Sequence, residues 1–202
     1  MIIYCTKYTL DMYDIGLPDN ATSFTQRKSL RKIIQNESND DLLKWGAKIF
    51  YFDGRMCLQL INFASQLRIF LMDFKYENLE HCGNAMVIYL LDIYKDNNEM
   101  IDLLRRLFEE SETVIFDKLS NMSITAMLNH AEHKMQSYKT FYDFISDGIF
   151  HTKELNRFVN EHFISKSIGY KTPCEFFEEL LKERYKGGKT HGKASANYNN
   201  AT

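Results

Sequence analysis

The stretch that decides the fold runs from Lys44 to Asn62 and reads KWGAKIFYF-DG-RMCLQLIN. Two runs of aromatic and aliphatic residues flank the dipeptide Asp53-Gly54. Asp-Gly between such runs predicts a two-residue hairpin turn, because both residues tolerate positive φ. A second break at Ala64-Ser65 leads into another apolar run, Leu67 to Asp73. Three adjacent antiparallel strands are the simplest reading. The runs are apolar on both faces, so helices are expected to cover both sides of the sheet.

Outward from this meander, Ile2, Ile3 and Tyr4 read as a short N-terminal strand, and Thr6 as the cap of a helix carrying Leu10 and Met12. Between residues 17 and 41 the chain turns polar and reads as an inserted surface segment with one or two amphipathic turns. It contains the compact basic cluster Arg27, Lys28, Arg31 and Lys32. Beyond the meander, helical spacing recurs in Val87, Leu90, Leu91 and Tyr94, then in Met100, Leu103, Leu104 and Leu107. Thr113 to Phe116 is short, β-branched and aromatic, and offers one more strand. Ile124, Met127, Leu128, Ala131 and Met135 form a one-faced helix, and Leu155, Phe158, Val159 and Phe163 another. Thr172-Pro173-Cys174-Glu175 has the composition of a capping box and opens the last helix. The expected fold class is therefore α+β: a small antiparallel sheet covered by several helices. It forms a single domain over residues 1–186, helical from about 151, with a flexible polar tail at 187–202.

The 202 residues are 45% hydrophobic and 26% charged, which is ordinary globular composition. Fifteen Phe and twelve Tyr exceed what a small core needs, so part of the aromatic surface is a candidate contact face. Net charge is −2 and the signs are interspersed, against the broad basic face of a dedicated duplex binder. The longest clean apolar run, Ala85 to Leu91, is too short to span a bilayer. The N-terminus lacks a signal-peptide core and the four cysteines are scattered. The expected setting is cytoplasmic, with reduced, packed thiols.

Three stretches carry a resemblance: Met1-Ile-Ile-Tyr-Cys-Thr-Lys7, Trp45 ahead of a hairpin containing Arg55, and Lys118-Leu-Ser-Asn-Met-Ser-Ile-Thr-Ala-Met-Leu-Asn129. Together they resemble an uncharacterised domain-of-unknown-function family of bacteria and their phages, over about residues 1–135. Its members open Met-Ile-Ile-Arg-Cys-Thr-Lys-Lys-Leu-Leu, with a Trp before the hairpin. A Lys-Thr-x-x-Arg-Ser segment later runs into a helix. This chain has Tyr4 and Met122 where those arginines are usual. The resemblance implies a bacterial or mobile-element origin and supplies no activity.

Candidate chemistry is sparse. His130 and His133 stand at i, i+3 spacing and, with His162, are the residues on which a metal reading rests. The apolar stripe of that helix turns them outward. His81-Cys82 invites a nucleophile reading, yet adjacent side chains rarely meet and no orienting carboxylate is in place. Gly187-Gly188-Lys189-Thr190 imitates a phosphate loop, but Glu183 stands where the motif needs glycine. The aromatic run Tyr138, Phe141, Tyr142, Phe144, Ile149 and Phe150 holds more apolar surface than a linker requires, and is the leading partner-binding candidate.

The residues, with the bacterial or mobile-element origin that the resemblance implies, point to a non-enzymatic accessory protein of a bacterium, phage or plasmid that binds another protein without a cofactor. An inhibitor of a host defence nuclease (anti-CRISPR-like) and a toxin–antitoxin component both fit. Expected partners are a host nuclease or effector complex or a second copy of the chain, and no membrane. The alternatives are nucleic-acid binding through Arg27, Lys28, Arg31 and Lys32, and a small metal-dependent hydrolase.

Overall fold

The computed structural model describes residues 1–18, 23–37, 39–111 and 113–186. The meander forms as its sequence dictates. Strands β2 (Lys44–Phe52), β3 (Arg55–Asn62) and β4 (Arg68–Met72) pair antiparallel in succession. Phe52 faces Arg55 across a two-residue turn in which Asp53 and Gly54 have φ of 50° and 73°. Both values are positive, as the hairpin's twist requires.

The N-terminal strand, β1 (Ile2–Cys5), departs from the antiparallel expectation. It runs parallel to β2 on one side and parallel to β5 (Ile115–Lys118) on the other, giving a mixed five-stranded sheet in the order β4-β3-β2-β1-β5. The reason lies in the connection. Helices α1 (Lys7–Met12) and α2 (Phe24–Glu37) carry the chain back to the starting end of β1 before β2 begins, and a crossover of this kind delivers a parallel neighbour. The segment read as a surface insertion therefore holds a 14-residue helix.

Alternation sorts the side chains. Ile3, Cys5, Trp45, Ala47, Ile49, Leu58, Leu60, Ile69 and Leu71 enter the larger core. That core also holds Leu10 of α1, residues of α3 (Cys82–Ile93) and α4 (Asn98–Glu109), and Phe177 and Leu181 of α7 (Pro173–Lys186). On the opposite face Phe50, Phe52, Cys57 and Phe70 meet Ala131 and Met135 of α5 (Met122–Ser137) and Leu155 and Val159 of α6 (Thr152–His162). Ile61, Ile124 and Leu128 continue that layer. Gly46 lies beneath α5, where any Cβ would overlap Cγ2 of Ile124. Its missing side chain lets the helix settle onto the sheet.

Polar side chains of helices finish the sheet where strands run out. Past the end of β1, the Thr9 hydroxyl accepts the Ile49 N–H at 2.9 Å. Along the outer edge of β4, two asparagines of α6 take the place of a sixth strand. Asn156 accepts from the Phe70 N–H at 2.7 Å and donates to the Phe70 carbonyl at 3.0 Å. Asn160 does the same for Arg68, at 2.8 and 2.6 Å. One helical turn of four residues rises about 6 Å and two strand residues advance about 6.6 Å, so an i, i+4 pair can serve alternate strand residues. Buried Asn62 is a third hub. Its Nδ2 donates to the Leu42 carbonyl at 3.0 Å, and its Oδ1 accepts from the N–H groups of Ala64 and Ser65, fixing the β3–β4 turn.

Candidate functional site

Two features adjoin on the α5 side of the sheet: an exposed aromatic segment and a narrow cationic cleft. The aromatic segment is residues 138–150. It descends from α5 through a helical turn and closes in a two-residue ladder of β6 (Ile145–Ser146) and β7 (Ile149–Phe150). Phe141 and Phe150 are buried in the second core, and Phe150 meets Phe52 edge-on at 5.9 Å. Tyr142 leans on Phe52 at 4.9 Å while remaining 46% exposed. Tyr138 is 51% and Ile149 63% exposed. The Arg55 guanidinium ties the segment down by donating to the Gly148 carbonyl and to Asp73. Of the three aromatic candidates Tyr138, Phe141 and Tyr142, the tyrosines thus face outward and Phe141 is their anchor.

The cleft lies between α5, β4 and α6, lined by Arg68, Phe70, His130, Lys134, Met135, Phe141, Val159 and Phe163. Asn160 fixes the Arg68 backbone, so its side chain stands on the α5 face of an edge strand. The Arg68 Nε is shut off from solvent without a partner, and among the described residues no carboxylate pairs with the guanidinium. Burial lowers Arg68 to about 10. Lys134 sits 4.9 Å over the Phe163 ring, and burial together with the Arg68 charge lowers its pKa. His130 is lowered by burial and then by the charges of Lys134, Arg68 and His133. Two cations from two elements, Arg68 and Lys134, therefore converge beside His130 with no carboxylate lining the cleft, a pattern of desolvation and like-charge crowding that is common at binding sites.

The histidines behave accordingly. His130 and His133 occupy the exposed side of α5, as the apolar stripe predicts, and His162 stacks on Phe158 at 5.0 Å on α6. Among the described residues no group of three or more His, Cys, Asp or Glu is placed to hold a metal. All four cysteines are unpaired and buried. Burial pushes the Cys82 thiol up to about 12, which removes it as a nucleophile at neutral pH, and His81 turns to Glu80 at 3.3 Å. Gly187, Gly188, Lys189 and Thr190 lie outside the described residues.

The basic cluster on α2 is divided. Lys28 and Lys32 are exposed, whereas Arg27 is half-buried with its Nε enclosed. Arg31 lines a recess with Leu17, Pro18, Ile34 and Asp117. The four side chains do not form one cationic face.

Two of the stretches that carried the resemblance, the N-terminal one and residues 118–129, come together at the opposite end of α5 from the cleft, whereas Arg55 of the hairpin stands at Gly148. Tyr4, Asp41, Lys44, Phe63, Ser120, Asn121 and Ser123 line a pocket of about 310 Å³. Tyr4 packs edge-on against Phe63 at 5.4 Å, and Lys44 pairs with Asp41. Asn121 caps α5 by accepting the Ile124 N–H at 3.1 Å. Met122 is 85% exposed. With Tyr4 and Met122 at the two positions in question, the cation in this pocket is Lys44, already paired, so the unneutralised charge lies at the Arg68 end.

Sequence reasoning missed Arg68, Asn156 and Asn160. An Asn-x-x-x-Asn spacing in an amphipathic helix beside an edge strand was the available signal for the asparagines. Arg68 gave none, because a basic residue opening a strand reads as solvated.

Among the described residues no helix is long and apolar enough to cross a membrane. No curated protein matches the chain. A family model described as a domain of unknown function (DUF6933) matches residues 2–176, from β1 into the first turn of α7. By that match, the chain belongs to the DUF6933 family.

Proposed function

We propose that this protein acts by binding another protein, through the surface formed by Tyr138, Tyr142 and Ile149. The observation that carries the reading is the two-sided construction of the 138–150 segment. Phe141 and Phe150 anchor it in the core, Arg55 clamps its turn, and three large apolar side chains are left standing in water. Anchored tyrosines carry large contact area at low entropic cost, which is why they dominate binding hot spots. The rest of the site supports binding more than catalysis, since the thiols are buried and Cys82 is held protonated.

Within this reading, occupying the surface of a nuclease or acting as a toxin–antitoxin accessory requires only such a contact face. We place the protein in the cytoplasm of a bacterium, where the reduced, buried thiols fit. The test is paired affinity capture with the wild-type chain and a Tyr138→Ala/Tyr142→Ala variant. One protein retained in stoichiometric amount by the wild type and lost by the folded variant supports the reading. Equal retention by both moves the interface elsewhere, and recovery of nucleic acid alone favours the α2 lysines.

A further inference from the structure

We propose that the cleft between α5, β4 and α6 is an oxyanion site that takes the phosphoryl group of a phosphate monoester, held by Arg68 and Lys134. The inference does not rest on the tyrosine surface. It starts from a hydrogen-bonding debt: the Arg68 Nε is enclosed in protein and donates to nothing, and no other described residue accepts from its guanidinium. Buried donors are almost always satisfied, and this one belongs to a planar fork suited to two oxygens of one anion.

The surroundings select the ligand's charge. Lys134 contributes a second cation, His130 stands beside both, and no carboxylate lines the cleft. A phosphate monoester carries a charge of about −1.5 to −2 near neutral pH, which answers two permanent cations better than a carboxylate or a diester with a single charge. The walls of Phe70, Met135, Phe141 and Phe163 exclude water and strengthen the attraction.

Size fixes the depth. The enclosed space is about 20 Å³, room for about one water-sized atom. One phosphoryl oxygen therefore enters, while the phosphorus, its other oxygens and the esterified group stay at the mouth. Phe141 and Phe163, with parallel rings 6.2 Å apart, form one wall of the cleft. Asn160 is a positioning residue, because it sets the Arg68 backbone without itself lining the cleft.

The test is nitrogen-detected NMR of the arginine Nε–H groups during titration with inorganic phosphate, phenyl phosphate, acetate or a short single-stranded oligonucleotide. The expected result is a saturable shift of the Arg68 Nε–H and of His130 with the first two. Lys134→Gln, a substitution on the outer part of α5, weakens it about tenfold or more by loss of a charge-assisted bond. Tighter binding of phenyl phosphate identifies an ester as the ligand, and equal binding identifies free phosphate; either supports the site. The proposal is overturned if neither phosphate moves the Arg68 Nε–H, if acetate or the oligonucleotide binds as tightly, or if Lys134→Gln leaves the affinity unchanged. Arg68→Lys, which keeps charge but loses the fork, provides the second variant and is expected to lose the saturable His130 shift.

Discussion

The side-chain amide of Asn160 closes on both backbone polar groups of Arg68, accepting from its N–H at 2.8 Å and donating to its carbonyl at 2.6 Å. This one contact finishes the exposed edge of the sheet and sets the base of the guanidinium that lines the cleft. Asn156 repeats it two strand residues away at Phe70. Edge strands left open invite pairing with other chains, and here a helix covers the edge with amides instead of a strand.

Removing these amides is expected to destabilise the fold. Asn156→Ala leaves the Phe70 N–H and carbonyl buried without partners, at a cost of about 1–3 kcal/mol for each stranded group. Asn160→Ala should cost somewhat less, because Arg68 is nearer the solvent. Denaturant unfolding measures the loss, and hydrogen exchange at the Phe70 amide should accelerate in the first variant. Unchanged stability in both would show that water replaces the amides without penalty.

Gly46→Ala is expected to push α5 off the sheet, since its Cβ would overlap Cγ2 of Ile124. Overpacking of this kind costs about 1–3 kcal/mol. Pairing it with Ile124→Ala, which removes the clashing methyl, should give a double variant more stable than the sum of the two single losses. Strict additivity in the melting data would mean that the contact is not the cause.

His130 is expected to titrate below the ordinary histidine value of about 6.5, because burial and the neighbouring cations oppose its charged form. Lys134→Gln removes one of those cations, so the proton should bind more readily and the midpoint should rise. It should remain below the ordinary value, since burial is the largest cause. NMR titration of the imidazole reads this directly, and a midpoint that falls or stays put would contradict the charge crowding in the cleft.

The thiols are expected to be inert in the folded protein. With Cys82 and Cys174 both pushed up to about 12 by burial, on the order of one molecule in ten thousand carries the thiolate of either at pH 8. A thiol reagent should label neither until denaturant is added. Rapid labelling of Cys82 in the native state would restore the nucleophile reading.

How much of this was legible in the sequence depends on which residues carried the information. Asp53-Gly54 predicted its hairpin, and Thr172 and Glu175 form the capping box, with the Thr172 N–H donating to Glu175 at 2.8 Å. These are local signals, where a few adjacent residues fix their own φ or their own caps. Asp147-Gly148 carries the same hairpin signal, with φ of 51° and 73°, but its flanks pair over only two residues each, too short to read as strands. The parallel placement of β1 was hidden because strand direction follows from where α1 and α2 lead the chain, not from Ile2 or Ile3 themselves. The cleft was hidden for a related reason: Arg68 is far in the chain from His130 and Lys134, which share α5, and meets them only once β4 and α5 have packed in the folded protein. Charge crowding is a property of the folded arrangement.

The proposed function is the binding of another protein by an anchored tyrosine surface. It is tested most directly by quantitative capture of partners on the wild-type chain and on Tyr138→Ala/Tyr142→Ala, after equal melting temperatures show that both are folded. One stoichiometric protein partner is expected on the wild type, and its loss from the variant. A partner held equally by both, or by neither, would contradict it.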